Sequence, residues 1–159
     1  MPIADDGIYL LTGPVRSGKT TSLIAWAEKR DDVYGILTPV INGKRMFMDA
    51  NSRVQFDMEA AAGETDILAV GRFRFSKAGF DKARQVIQDA MAKEGWLIID
   101  EIGPLELKGE GFCVVLKEVL AQRKNKILLV VREGLQEEAQ KRFRFEAGLV
   151  NPGTLRLLH

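Results

Sequence analysis

The chain's regular pattern opens with an apolar run, Gly7-Ile8-Tyr9-Leu10-Leu11, which reads as a buried strand. Residues 22–29, Ser-Leu-Ile-Ala-Trp-Ala-Glu-Lys, follow as a helix. Asp31-Asp32 breaks the apolar pattern, and residues 34–41 read as extended. Asn42 and Gly43 both accept the positive φ of a type I′ turn, so residues 44–49 are expected to return as a hairpin strand, with Pro39 on an edge or at a bulge. Residues 53–58 and 67–75 read as two more strands, which gives an antiparallel meander over about residues 34–75. The helical period then returns, with Phe80, Ala83, Ile87, Ala90 and Met91 on one face and Gly95 as a stop. An apolar strand from Trp96, a helix carrying Phe112, Val115, Leu116, Val119 and Leu120, and a buried parallel strand over 126–131 come next. A helix over 135–142 and a short strand over 147–150 complete the pattern, and residues 154–159 are ambiguous. Strands alternating with helices predict an α/β fold: a mostly parallel central sheet, helices on both faces, and the meander inserted after the first helix.

At 159 residues the chain is long enough for one independent core, and a single domain over 1–159 is expected. A formal net charge of +1, with 28% charged residues, leaves no overall basic footprint, so nucleic acid is not an expected partner. The N-terminal residues lack the basic and apolar regions of a signal peptide, and no uncharged apolar run is long enough to span a bilayer. No membrane partner and a cytoplasmic location are therefore expected. Cys113, the single cysteine, sits among Phe112, Val114 and Val115 and reads as a small buried hydrophobe.

The chemistry begins directly after the first strand. Gly13-Pro14-Val15-Arg16-Ser17-Gly18-Lys19-Thr20 has the spacing G-x-x-x-x-G-K-T of a phosphate-binding loop, and Thr21 continues it into the helix. Glycine at 13 and 18 lets the backbone close around phosphate oxygens, where successive N–H groups and the helix N-terminus supply fixed positive charge. Residues 13–21 are thus expected to hold the phosphates, with Lys19 reaching the β- and γ-phosphates and the Thr20 hydroxyl on Mg²⁺. The fold expected is then the three-layer sandwich of P-loop NTPases.

The second half of the site is Trp96-Leu97-Ile98-Ile99-Asp100-Glu101-Ile102-Gly103, the Walker B pattern. A buried strand ending in an acid delivers the carboxylate to the carboxyl edge of the sheet, where open α/β sheets bind ligands. Asp100 is expected to hold Mg²⁺, and Glu101 to face the γ-phosphate as base or water-positioning group. Glu101 has a competing reading as a loop cap, in which case the role passes to Glu106 or to metal-held water.

Several cations read either way. Arg16 stands where many such loops carry glycine, and its side chain is expected to project into solvent while the main chain binds. Arg45, Arg72, Arg74 and Arg132 are candidate phosphate or base contacts, each with a surface reading beside it. Arg132 is the best placed, since it follows the strand over 126–131 at the same sheet edge as Asp100. His159, the only histidine, sits at the chain end where disorder is usual, and Trp26 lies at core spacing beside Leu23 and Ala27.

These residues resemble the small nucleoside-triphosphatases of the thermostable and cancer-related type. The likeness rests on the loop through Thr21, on Gly35-Ile36-Leu37-Thr38 with Gly43-Lys44-Arg45, and on Ile99-Asp100-Glu101-Ile102-Gly103-Pro104-Leu105-Glu106, from about residue 7 to about residue 150. Arg16 departs from the family's usual glycine. The resemblance implies Mg²⁺-dependent hydrolysis of nucleoside triphosphates such as ATP or GTP to diphosphates with broad base tolerance, with Lys19 and Thr20 on phosphate and metal, Asp100 on metal, and Glu101 on the attacking water. Lys19 and Glu101 are the catalytic pair on this reading. Two alternatives stand beside it: a nucleotide or small-molecule kinase, for which residues 123–126 and 141–144 read as helix ends rather than as an arginine-rich lid, and a slowly hydrolysing switch or assembly module using the meander as partner surface. Oligomeric state is not legible.

Overall fold

A computed structural model describes residues 7–14, 17–122 and 124–159. Strand β1 (Ile8–Leu11) leads through the glycine-bearing loop to helix α1 (Lys19–Glu28), and β2 (Val33–Leu37) follows. Next come β3 (Val40–Ile41), β4 (Lys44–Asp49), β5 (Gln55–Asp57), β6 (Ile67–Val70) and β7 (Phe73–Ser76), then α2 (Lys77–Ala90) and β8 (Trp96–Ile102). The remainder is α3 (Pro104–Leu107), α4 (Cys113–Gln122), β9 (Lys126–Val131), α5 (Gln136–Phe143), β10 (Gly148–Val150) and a 3₁₀ turn, Leu155–Leu157.

The main sheet has the order β10-β1-β9-β8-β2-β4-β3, with β5 also on β4. From β10 to β2 every pairing is parallel, and β4 runs antiparallel to β2. The parallel strands carry apolar side chains on both faces, because both faces are covered. Tyr9, Leu11, Val33, Leu37, Ile98, Leu128 and Val130 meet Leu23 and Ala27 of α1, with Leu155 and Leu158 from the C-terminal segment. On the opposite face Ile8, Leu10, Leu97, Ile99, Ile127 and Leu129 meet apolar side chains of α2, α4 and α5. Cys113 is buried there, as expected of a small hydrophobe.

The inserted meander differs from its sequence reading in two ways. Its first segment starts at Val33 rather than residue 34 and belongs to the parallel sheet, since β2 pairs with β8 from Val33↔Trp96 to Ile36↔Ile99. Residues 67–75 form two strands, not one: Gly71, at φ 57, lies between β6 and β7, which make a two-stranded sheet of their own. The Asn42-Gly43 turn has φ 51 and 79 and joins β3 to β4, and Pro39 lies just before edge strand β3.

Helix boundaries shift for local reasons. Helix α1 starts at Lys19, three residues before its expected start, directly after left-handed Gly18 at φ 81. Helix α2 begins at Lys77, where the Ser76 hydroxyl accepts the Gly79 N–H at 3.1 Å as an N-cap. It ends at Ala90, and Gly95 lies instead in the turn that puts the Trp96 N–H 2.8 Å from the Asp32 carbonyl. The C-terminal segment is anchored rather than disordered, as the His159 carbonyl accepts from Trp96 Nε1 at 3.3 Å and Lys126 Nζ at 2.9 Å. Trp26 is half-buried on the rim of the core, edge-on to Trp96 at 5.3 Å with the Arg30 guanidinium 4.8 Å from its ring.

Candidate active site

The carboxyl ends of β1, β9, β8 and β2 converge on one edge of the sheet, and the chemistry-bearing residues stand there. In the loop after β1, the Lys19 ammonium donates to the Gly13 carbonyl at 2.8 Å. One residue on, in the first turn of α1, the Thr20 hydroxyl donates to Asp100 Oδ2 at 2.9 Å. The Thr38 N–H, just past β2, donates to the same oxygen at 3.1 Å. Thus residues 80 positions apart, Thr20 and Asp100, are brought into contact by the β1–loop–α1 unit and the end of β8. Gly13, Pro14, Ser17, Gly18 and Thr21 lie along the same loop and first helical turn. Val15 and Arg16, two of the expected phosphate-binding residues, lie outside the described residues, as does Arg123.

Asp100 is 1% exposed, and its Oδ1 has no hydrogen-bond partner among the described residues. Burial pushes its carboxyl up, against the opposing pull of the Thr38 N–H, the Thr20 hydroxyl and the Lys19 charge. A buried carboxylate oxygen without a partner is costly unless a cation or donor completes it. The Thr20 hydroxyl and the Asp100 carboxylate are hard-oxygen donors of the kind a magnesium ion accepts, so the residues fit such an ion.

Glu101 points the other way. Asp100 meets Thr20 of α1, whereas Glu101 lines a cavity with Phe80 and Phe112, which belong to the core of the opposite face. The β8–β9 register also shifts here: Asp100 pairs with Val130 and Ile102 with Val131, leaving Glu101 as the extra residue of a bulge. Its side chain is half-buried. Burial raises its carboxyl first and the Asp100 charge raises it further, while Arg45, Lys19 and Arg132 pull it down.

Glu106 has a different task. At 3% exposure it accepts the Gly103 N–H on Oε1 at 2.8 Å and the Phe112 N–H on Oε2 at 2.9 Å, capping α3 and tying the end of β8 to the start of α4. Burial lifts its pKa to about 7 despite these bonds. Of the candidate arginines, Arg45 and Arg132 line a common cavity with Glu101, Arg72 stands on the β6–β7 turn of that cavity, and Arg74 is drawn off to the Glu64 carbonyl at 3.0 Å. Lys141 and Arg142 lie in the last turn of α5, as helix ends. Thr38 was legible only as part of the Gly35–Thr38 resemblance, because the main-chain N–H it gives Asp100 leaves no mark in the sequence.

The NTPase family matches residues 8–151. The nucleoside-triphosphatase THEP1 of Methanothermobacter thermautotrophicus is 31% identical over 157 residues, spanning 90% of this chain and 86% of its own. The THEP1 of Methanosarcina barkeri is 27% identical over 151 residues, spanning 89% and 86%. In fold, the crystal structure of THEP1 from Aquifex aeolicus superposes with a TM-score of 0.68 at 18% identity, covering 94% of this chain and 91% of that one. The solution structure of a human cancer-related nucleoside triphosphatase gives 0.63 at 22%, covering 91% and 87%. With its P-loop sequence, its acid-tipped β8 and a family match running through nearly the whole chain, the protein belongs to the NTPase family and is a nucleoside-triphosphatase.

Proposed function

We propose that the enzyme hydrolyses nucleoside triphosphates to diphosphates and phosphate in a Mg²⁺-dependent reaction, with wide tolerance for the base. The observation that carries this reading is the Thr20–Asp100 contact beside Lys19, with Asp100 Oδ1 without a partner among the described residues and so open to a cation. Gly13 to Thr21 would wrap the phosphates, Lys19 would leave the Gly13 carbonyl for the β- and γ-phosphates, and Thr20 and Asp100 would hold the ion. When bound, Mg²⁺ would neutralise charge on the phosphate oxygens. Glu101 accepts a proton from water and orients it toward the γ-phosphorus, a role suited to a carboxyl that burial keeps above its ordinary range. Arg45 and Arg132, which line a cavity with it, offset charge that builds on the transferring group. All these residues address the triphosphate, so recognition through them is blind to the base.

Protein incubated with ATP, GTP, CTP and UTP plus Mg²⁺ should release phosphate from each, and chelating the metal should stop it. Release no greater than that of a Lys19→Ala control, for all four, would end the proposal.

A further inference from the structure

Beyond the edge that serves the triphosphate lies a cavity of about 300 Å³, in the range of small-molecule sites. Its walls change character with depth. Phe73, Phe75, Phe80 and Phe112 form an apolar interior, with the Phe73 and Phe75 rings parallel at 5.9 Å between centroids. Arg45, Arg72 and Arg132 supply positive charge, the first two with their guanidinium groups 5.2 and 5.5 Å from the Phe73 ring. None of the three arginines figures in the ion pairs of the described residues, which join Arg30 to Asp32, Lys77 to Asp66, Arg84 to Asp81 and Lys108 to Glu110. Glu101 is the acid at the edge that carries Asp100, and Glu106, whose oxygens accept the Gly103 and Phe112 N–H groups, is the other acid of the wall.

Position gives this cavity a chemical meaning. The phosphate loop and α1 lie on one face of the sheet, whereas Phe80 and Phe112 belong to the core of the other face, toward which Glu101 turns. Displacement at the γ-phosphorus runs in line, so the nucleophile enters opposite the leaving β-phosphate oxygen. With the α- and β-phosphates on the loop amides, Glu101 and the cavity it lines would stand on that entry side.

We propose that the cavity seats a second substrate, a small hydroxylated organic anion with a flat apolar body, which takes the γ-phosphoryl group in place of water. Its ring lies along the phenylalanines, its anionic group meets Arg72 at the β6–β7 turn, and its hydroxyl reaches Glu101. Glu101 selects for a neutral hydroxyl at that end, because an anionic acceptor oxygen would be repelled by the carboxylate. The hydroxyl oxygen forms a bond to the γ-phosphorus and gives its proton to Glu101. The bond from that phosphorus to the β-bridging oxygen breaks, and the diphosphate leaves with the electron pair. The products are a phosphomonoester and a nucleoside diphosphate. This inference rests on the proposed placement of the γ-phosphate against Glu101.

The test uses 4-(hydroxymethyl)benzoate, indole-3-lactate and uridine 5′-monophosphate as probes. Binding is measured by calorimetry and the products with Mg·ATP by ³¹P NMR. At least one probe should bind saturably and yield a phosphomonoester while free phosphate release falls. Two variants on the hairpin side should each weaken its binding by about tenfold or more and abolish the phosphoester: Arg72→Glu reverses an exposed charge, and Val70→Trp fills the cavity from a half-buried position. Hydrolysis without probe should persist in Arg72→Glu. Failure of all three probes to bind overturns the proposal, as does binding indifferent to both variants, or binding with no phosphoester formed. Phosphate release intact without phosphoester rejects the acceptor alone, whereas absence of both also rejects the hydrolytic reading beneath it.

Discussion

Asp100 and Glu106 are the carboxylates buried among the described residues, and they are resolved in opposite ways. Asp100 keeps an oxygen without a partner among those residues, while both oxygens of Glu106 accept main-chain N–H groups, which makes it a clamp rather than a catalyst. Its folded pKa, about 7, is raised above the ordinary 4.5, so its contribution to stability is full below about 4.5 and is lost as pH rises through about 7. The loss is on the order of 3 kcal/mol, the equivalent of that shift. Glu106→Gln removes this dependence, since the amide does not ionise. It also sets an amide donor against one of the two N–H groups, so at pH 5 the variant should be less stable by roughly 1–3 kcal/mol, the cost of an unsatisfied buried donor. Urea unfolding of both proteins between pH 5 and 8 should show the gap narrowing as pH rises. A constant gap would contradict the shifted carboxyl.

At the scale of elements, the β2–β8 pairing joins the meander to the catalytic strand, and Gly35 sets its closeness. At φ 109, a Cβ on Gly35 would stand 2.1 Å from the Ile98 carbonyl oxygen, a backbone atom that cannot step aside. Gly35→Ala should cost roughly 3 kcal/mol or more in urea unfolding. Gly43→Ala, in the hairpin turn with open space around its Cβ, should cost only ~1 kcal/mol. Equal effects would show that the close approach does not matter. Legibility in the sequence follows the same division. The apolar runs of β1, β8 and β9 are unmistakable because strands covered on both faces need no polar alternation. The break between β6 and β7 escapes the sequence reading because the apolar run Ile67 to Val70 passes into alternating Phe73-Arg74-Phe75 with only Gly71-Arg72 between them. Helix α3 is a single turn, too short to show a period, although Gly103-Pro104 with Glu106 two residues on carries the capping signal. The site's loop and acids were readable from spacing alone. Thr38 was not, since its main-chain N–H leaves no mark in the sequence, and the cavity was not, since its walls come from β4, β6, β7, α2, β8 and α3 and only folding brings them together.

For the molecule as a whole, the phosphate loop, Asp100 and Glu101 form a site that only the native fold assembles, so ligand binding and stability are linked. A non-hydrolysable ATP analogue with Mg²⁺, free at about 100 times its Kd, should add ~2.7 kcal/mol to the unfolding free energy. Asp100→Asn should lose most of that Mg²⁺-dependent gain, because it removes the charge facing the ion. An undiminished gain in the variant would move the metal elsewhere. The most direct test of the account concerns Glu101. In single-turnover reactions with Mg·ATP, Glu101→Gln should bind the nucleotide within a few-fold of wild type, since binding rests on the loop amides, Lys19, Thr20 and Asp100. Its hydrolysis should fall by ~10²–10⁴-fold, the usual worth of a general base. Hydrolysis by Glu101→Gln within a few-fold of the wild-type rate would contradict the assignment of the attacking water to this residue.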